Sequence, residues 1–123
     1  MAASYLAYWE TYSESLFELD ESRLPEVMTG PRLERALEEI ATLRSDGRAV
    51  QSVLTLDPAV VALRENEATV LDEYENASYL IDPETKEPVA GLGSPVVIRE
   101  AFTLVYTDGT WKVFDSVRQA GSD

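Results

Sequence analysis

The sequence contains no cysteine and no histidine among its 123 residues. Without cysteine, the chain has no disulfide, no thiol nucleophile and no zinc–thiolate site. Without histidine, it lacks the residue that most often serves as general base, metal ligand and pH switch near neutrality. These absences exclude many hydrolytic and metal-dependent mechanisms. They leave the compartment open, because a cysteine-free domain can fold in an oxidising or a reducing environment.

Long apolar runs and positive charge are also scarce. No apolar run approaches the ~20 residues of a membrane span, so we expect no direct membrane insertion of this domain. Lys and Arg number 10 against 23 Asp and Glu, which gives a net charge of −13. A nucleic-acid partner is therefore not expected, because phosphate binding needs clustered cations. We interpret the acidity as a source of solubility, with a cationic partner as the alternative.

The chain length predicts one domain. A sequence of 123 residues has the size of a single compact unit, and no linker, repeat or low-complexity segment divides it. We therefore predict one domain over residues 1–123. Because an aromatic helix begins directly after the first residues, we also expect this domain to be part of a longer chain.

Three helices are predicted in the first part of the sequence, where apolar residues recur at helical spacing. The first spans about residues 3–19 and carries an aromatic stripe. A short second helix turns Leu24, Val27 and Met28 inward. Gly30 ends it, and Pro31 begins a third helix that ends near residue 46. We expect the apolar residues Leu33, Leu37, Ile40 and Leu43 to form the buried face of this third helix.

Every predicted strand follows the helices. The segments at 50–56, 59–63 and 68–81 are rich in β-branched residues and are separated by turn-forming residues. The last two strands, 98–106 and 110–117, flank Asp108-Gly109, which is the strongest short hairpin signal in a sequence. This order predicts an α+β fold, in which three helices pack on one face of a curved antiparallel sheet of about five strands.

The Asp-Gly turn also predicts the register of the final hairpin. If Thr107 pairs with Thr110, one face of the hairpin carries Tyr106, Leu104, Phe102 and Glu100 opposite Trp111, Val113, Asp115 and Val117. We assign this face to the helix-covered interior, because it holds the bulkier apolar residues. Arg99 and Arg118 then fall on the outer face. The facing of strand 68–81 stays open, because the glycines at 91–95 can shift its register by one residue.

Four segments together resemble the nuclear-transport-factor-2-like superfamily. They are Tyr-Trp-Glu at 8–10 with Tyr12, Ser-Arg-Leu-Pro-Glu-Val at 22–27, Thr-Gly-Pro at 29–31 and Asp-Gly-Thr-Trp-Lys-Val at 108–113. That superfamily has the cystatin-like cone fold of ketosteroid isomerase and polyketide cyclases, and the resemblance spans nearly the whole chain. The segments are structural, so they indicate a fold rather than an activity.

Within the superfamily, the sequence looks most like non-catalytic extracytoplasmic members. These include domains of bacterial lipoproteins and membrane proteins and the intermembrane domain of a plastid-division protein. The resemblance therefore implies a location in the bacterial envelope, with a cytoplasmic location left open. It also implies dimerisation through the back of the sheet, as cone-fold proteins often show.

Asp115 and Glu100 are the candidate catalytic residues, with Tyr106 or Tyr74 as a hydroxyl donor. A carboxyl group on the predicted apolar interior face has a raised pKa, which suits proton abstraction beside a carbonyl. An isomerase- or cyclase-like enzyme with Asp115 as general base is therefore one hypothesis. The competing role is structural, because both carboxylates lie toward the sheet end that solvent or helix termini can reach.

Five large side chains are candidates for lining a ligand cavity, with core packing as their alternative role: Trp9, Tyr12, Phe102, Leu104 and Trp111. Aromatic residues of this size can also fill a cone completely, and a filled cone holds no substrate. Whether the cone is hollow therefore separates a ligand-binding or catalytic domain from one that works through its surface.

Two surface features complete the sequence prediction. Asp72, Glu73 and Glu75 form an acidic patch that we interpret as a solvated strand edge, because no calcium-loop spacing surrounds it. We therefore expect no bound metal, and no cofactor either. The outer sheet face carries an apolar strip that is a candidate homodimer interface, since a two-fold interface needs a self-complementary patch. The strip consists of Val97, Ala101, Val105 and Phe114.

The prediction is a non-catalytic domain that binds a protein partner or a small apolar ligand. The alternative is an isomerase- or cyclase-like enzyme that uses an inward-facing carboxylate. A third possibility is a purely structural dimerisation unit.

Overall fold

The computed structural model describes residues 1–119 and shows two α-helices followed by an antiparallel sheet. In chain order the elements are α1 (Ala2–Glu18), a 3-10 turn (Leu24–Glu26), α2 (Gly30–Asp46), β1 (Ala49–Gln51), β2 (Leu54–Thr55), β3 (Pro58–Leu63), β4 (Glu67–Asn76), β5 (Tyr79–Ile81), β6 (Val96–Thr107) and β7 (Thr110–Arg118). The predicted α+β fold is confirmed, with the helices packed on a multi-stranded antiparallel sheet. The number of helices differs from the prediction, because the short second helix is a single 3-10 turn.

The segment after the 3-10 turn joins the sheet instead of continuing as a helix. The Thr29 N–H donates to the Val113 carbonyl at 2.9 Å, and the Val113 N–H donates to the Val27 carbonyl at 2.9 Å. Residues 27–29 therefore run beside β7 as a short parallel partner at Met28. Because these backbone groups are bound by the sheet, they are not available for a longer helix.

Strand β4 lies inside the larger sheet. It pairs with β6 along its whole length, from Glu67 opposite Val105 to Asn76 opposite Val96, and its other side carries both β2 and β3. The larger sheet thus has five strands, ordered β2-β4-β6-β7 with β3 also beside β4. The predicted strand 68–81 is divided into β4 and β5, and β5 pairs separately with β1.

The final hairpin keeps its predicted register only as far as Leu104 opposite Val113. Phe114 is an extra residue in β7, and beyond this β-bulge Thr103 pairs with Asp115. The predicted pairings of Phe102 with Asp115 and of Glu100 with Val117 are therefore wrong. A turn sequence fixes the register only where pairing is regular, and a bulge moves every later residue by one position.

The bulge lies where β7 meets the helices. It directly follows Val113, whose backbone is bound to the segment 27–29 on the free side of the strand. The Phe114 ring lies against Gly30 at the start of α2, where an added Cβ would be 2.5 Å from a ring carbon. The bulge therefore accompanies both contacts that attach the start of α2 to the edge of the sheet.

The aromatic stripe of α1 forms the centre of the core, in agreement with the core-packing role considered for its residues. Tyr5 packs edge-on against Phe102 with ring centroids 5.2 Å apart, and Trp9 packs in the same way on Tyr74 at 5.1 Å. Leu104 is fully buried in the same cluster. Burial of these rings from one helix against β4 and β6 stabilises the fold through the hydrophobic effect.

The buried face of α2 is shifted from the predicted one. Arg32, Ala36 and Ile40 are buried at a spacing of four residues, whereas Leu37, predicted to be buried, is 39% exposed. The prediction considered apolar residues only, so it could not include Arg32, a charged residue on the buried face of α2. Arg32 lines the candidate site.

The contact between Gly30 and Phe114 makes a testable contribution to stability. Gly30 has a φ of +58°, and Gly47 at the other end of α2 has a φ of +66° with no atom within 4 Å of an added Cβ. We expect Gly47→Ala to cost about 1 kcal/mol of unfolding free energy from backbone strain alone. Gly30→Ala should cost about 1–3 kcal/mol more, because its Cβ overpacks the Phe114 ring.

Urea unfolding of both variants measures this difference. The Phe114→Ala background is the control, because removing the ring should abolish the extra cost of Gly30→Ala. Equal destabilisation by the two glycine substitutions would contradict the contact.

Candidate functional site

A cavity of about 210 Å³ lies between the two helices and the sheet. Helix α1 contributes Trp9 and Tyr12 to its wall, and α2 contributes Arg32. We call this space the helix–sheet cavity. It adjoins a wider surface depression of about 380 Å³ that shares Tyr12 and Arg32 and adds Arg35. The cone is therefore filled by aromatic side chains in its core but hollow where the cavity meets solvent.

Tyrosine hydroxyls bind both carboxylates of the helix–sheet cavity. Tyr74 donates its hydroxyl hydrogen to Glu100 at 2.6 Å, and Tyr12 donates to Glu39 on α2. Burial raises the pKa of both tyrosines, and the hydrogen bond to Glu100 raises that of Tyr74 further. Both hydroxyls therefore remain protonated donors at neutral pH, and each satisfies one carboxylate.

Arg32 reaches the cavity from the buried face of α2. The residue is 8% exposed. Its Nε donates to the Tyr8 hydroxyl at 3.0 Å, and its guanidinium carbon lies 4.7 Å from the centroid of the Tyr12 ring. Burial raises the pKa of Tyr8 to about 12, so that hydroxyl stays neutral and does not neutralise the arginine. Within residues 1–119, Arg32 forms no ion pair with a carboxylate.

Arg118 also lines the cavity, contrary to its predicted place on the outer face. The Phe114 bulge moves Arg118 into register with Glu100, whose side chain faces the interior. Its guanidinium forms no ion pair in the part of the chain that the structure describes. Two arginines from different elements therefore meet the same cavity without carboxylate partners.

The three candidate catalytic residues do not come together. Asp115 accepts a hydrogen bond from Arg35 at 2.7 Å and is 37% exposed, outside the helix–sheet cavity. The Arg35 guanidinium holds the pKa of Asp115 below its usual value, which does not suit a general base. Tyr106 is 46% exposed and packs on Trp111 beside the turn. Glu100 alone of the three lines the cavity, and its hydroxyl partner is Tyr74.

The five candidate ligand-lining residues also separate. Trp9 and Tyr12 line the helix–sheet cavity. Phe102 and Leu104 are fully buried in the core, and Trp111 is partly buried against Tyr106. The aromatic stripe of α1 thus serves both roles, because one helix face borders the packed core and the cavity.

Sequence reasoning missed Arg32, Arg35 and Glu39, which all lie on α2. A signal for Arg32 was present, because it falls four residues before Ala36 and eight before Ile40 on the face that packs inward. A single arginine at a core spacing on an amphipathic helix indicates a charge with a specific role. No comparable local signal marks the other two.

Asp72 is a buried residue and not part of a solvated edge, so that interpretation was wrong. It is fully buried on the interior strand β4. Its carboxylate accepts the Tyr5 hydroxyl at 2.6 Å and the Asp57 N–H at 2.8 Å. Tyr5 has a raised pKa because of its burial and this bond. Among residues 1–119 no group of acidic side chains is arranged to hold a metal ion.

The outer sheet face carries an apolar row that differs from the predicted strip. Ala59, Leu71, Ala101 and Val117 lie directly opposite one another across β3, β4, β6 and β7. Phe114 does not belong to this row, because the bulge turns its ring toward Gly30. Asp115 takes the place opposite Thr103 that the regular register assigned to Phe114, and Val117 stands opposite Ala101.

Comparison with known proteins shows the fold. No protein-family model and no curated protein matches the chain. The chain is similar to the solved crystal structure of the intermembrane space region of chloroplast protein ARC6, with a TM-score of 0.74 and 19% identity over 97% of this chain and 93% of that chain. Helices long and apolar enough to cross a membrane are not found within residues 1–119.

The Arg35–Asp115 pair makes a pH-dependent prediction. Because the pKa of Asp115 is lower in the folded protein than the unfolded value of about 3.9, the pair stabilises the fold above that pH. The contribution is lost as the pH falls through the folded pKa. Since both side chains are partly exposed, we expect Asp115→Asn to cost less than about 1 kcal/mol at neutral pH.

Urea unfolding of the wild type and Asp115→Asn from about pH 6 to about pH 3 measures this effect. The difference in unfolding free energy should shrink toward acid pH. Arg35→Gln is the control, and it should remove the same pH-dependent difference. A difference that grows toward acid pH would contradict the assignment.

Proposed function

We propose that this chain is a non-catalytic binding domain that takes a small ligand in the helix–sheet cavity. The proposal rests on the hydrogen bonds that the two carboxylates of the cavity already make. Tyr74 and Tyr12 donate their hydroxyl hydrogens to Glu100 and Glu39, so these carboxylates already have partners. A general base needs a carboxylate placed to take a proton from a substrate, whereas paired groups supply a preformed polar wall.

The size and lining of the cavity support a small ligand. Its volume of about 210 Å³ is below the ~300–1,000 Å³ of sites for drug-sized molecules. The apolar side chains of Trp9, Leu16, Val50 and Leu54 line the cavity together with its charged groups. Such a mixed wall suits a compound with an apolar body and one polar group.

We also propose that the domain belongs to the nuclear-transport-factor-2-like superfamily and works outside the cytoplasm. Four sequence segments and the α+β architecture support the first part. The likeness to the intermembrane space region of ARC6, at 19% identity, supports the fold. The proposed location therefore rests on the sequence resemblance.

An isomerase- or cyclase-like enzyme is the second candidate, and one observation favours it. Glu100 and Tyr74 form a carboxylate–hydroxyl pair at 2.6 Å in the wall of a cavity. Proton abstraction beside a carbonyl uses groups of these two types. In that case Glu100, and not Asp115, is the base.

Nuclear magnetic resonance with a panel of small compounds tests the binding proposal. The panel contains neutral, anionic and cationic aromatic and aliphatic compounds. We expect at least one class to shift backbone amide signals of residues that line the cavity. Ser52→Phe fills the cavity from its wall and should abolish these shifts, whereas Ser45→Phe on the exposed side of α2 should preserve them.

The enzyme alternative has its own measurement. Cyclohex-3-en-1-one isomerises to its conjugated form, and the rate is read from absorbance. We expect no acceleration above buffer. An acceleration that Glu100→Gln removes, while Asp115→Asn leaves it intact, would replace the binding proposal with the enzyme. Absence of shifts with every compound class would also overturn the binding proposal.

The homodimer expected from the sequence stays a prediction, now placed on the apolar row of the outer sheet face. Val117 in that row is 62% exposed, so a charge there should cost little folding stability. We expect the wild type to be a dimer by light scattering and Val117→Asp to be a monomer. Leu92→Asp, at a loop residue 73% exposed, should remain a dimer. A monomeric wild type at high concentration would contradict the prediction.

A further inference from the structure

The acidic and the basic side chains of the helix–sheet cavity differ in the partners that they have. The chain has 23 acidic residues against 10 basic ones, yet in this cavity each acidic group has a tyrosine partner and neither arginine has a carboxylate partner. Glu39 and Glu100 each accept a tyrosine hydroxyl. Arg32 and Arg118 form no ion pair among the described residues. A protein so rich in carboxylates has many ways to pair an arginine, so this arrangement needs an explanation.

Arg32 carries the strongest part of the argument, because it is nine-tenths buried. A guanidinium has five N–H donors, and the hydrogen bond to Tyr8 uses the one on Nε. No carboxylate of residues 1–119 forms an ion pair with the guanidinium, and the residue lines both the cavity and the depression outside it. Buried charges are normally paired, since an unpaired one is costly. Arg32 therefore lines a space that a ligand can enter without a carboxylate of the protein to neutralise it.

Nearby contacts keep the Arg32 side chain in place. Nε is held by Tyr8, and the guanidinium carbon lies 4.7 Å from the ring centroid of Tyr12 and 5.8 Å from that of Tyr8. A guanidinium held by one edge and over an aromatic ring presents its other nitrogens in a fixed plane. That geometry matches a carboxylate, which accepts two parallel hydrogen bonds from one arginine.

The remaining wall defines the rest of the ligand. Trp9 and Tyr74 are aromatic and buried, and Leu16, Val50 and Leu54 complete an apolar surface. Glu39 and Glu100 stand in the same wall, so they would repel a dianion such as phosphate more strongly than a monoanion. A small aromatic compound with a single negative charge fits both the apolar wall and the two carboxylates.

We propose that Arg32, assisted by Arg118, binds the carboxylate of a small aromatic acid whose ring lies in the apolar part of the helix–sheet cavity. This inference rests on the proposed binding function and specifies its ligand class. Arg32 supplies the buried contact, and Arg118 supplies a second positive charge at the exposed end. Glu39 and Glu100 hydrogen-bond to tyrosine hydroxyls, and among residues 1–119 neither forms an ion pair with these arginines.

Titration calorimetry and amide-shift mapping with phenylacetate test the inference. Phenylacetamide has nearly the same shape without the charge, and 2-phenylethylamine carries the opposite charge. We expect phenylacetate to bind about tenfold or more tightly than phenylacetamide, because hydrogen bonds to a charged group are about twice as strong as neutral ones. The amine should bind most weakly of the three.

Substitutions then test which side chain binds the carboxylate. Arg32→Met keeps the apolar stem and should weaken phenylacetate binding about tenfold or more while leaving phenylacetamide unchanged. Unfolding free energy is the second readout and shows that Arg32→Met still folds, since the substitution removes a buried charge but also the donor to the buried Tyr8 hydroxyl. Arg118→Gln, at an exposed position, should weaken phenylacetate severalfold without affecting the fold. Arg35→Met on the same helix is the matched control and should bind normally, because Arg35 is paired with Asp115.

The outcomes separate this inference from the proposed function. Equal binding of the acid and the amide, unchanged in Arg32→Met and Arg118→Gln, would overturn the carboxylate assignment while leaving a binding cavity. Binding of none of the three probes, together with no amide shifts from any other compound class, would overturn both.

Discussion

The backbone of Val113 joins the two halves of the structure. Its N–H and carbonyl bind Val27 and Thr29, which precede α2, so both point away from β6. These two bonds connect the helical part of the chain to the free side of β7, and they cover an edge that would otherwise be open to pairing. The bulge at Phe114 follows directly, and its ring fixes the start of α2 at Gly30. The placement of α2 over the sheet therefore depends on this junction.

The candidate site is a consequence of the same junction. The bulge moves Arg118 into register with Glu100 and brings it to the cavity, and it takes Asp115 out of register with Phe102 and pairs it with Thr103. The attachment of α2 brings Arg32 over the aromatic rings of α1. With regular pairing, the Asp115 carboxylate would face the interior. Because β7 contains one extra residue, the Arg118 guanidinium lines the cavity instead. That exchange underlies the proposal that the cavity binds an anion and does not act through Asp115 as a general base.

Much of the fold was predictable because it depends on local patterns. The aromatic spacing of α1, the Gly-Pro start of α2 and the Asp-Gly hairpin turn each have a local physical cause. The role of residues 27–29 was not predictable, since a short extended segment gives no sign of which strand it will join. The burial of Asp72 was missed for a similar reason. An acidic residue on a strand is usually exposed, and only its bonds to Tyr5 and Asp57 make an interior position possible.

The sequence by itself determined the order of helices and strands, the amphipathic faces, the hairpin turn and the absence of histidine and cysteine chemistry. These follow from residue type and spacing, which act over a few residues. Tertiary structure decided the register beyond Val113, the facing of Arg118 and the partners of Glu39, Glu100 and Arg32. Each of these depends on contacts between elements distant in sequence, where a shift of one residue reverses the face to which a side chain points. The cavity wall is built from such contacts, so its chemistry became visible only in the folded protein.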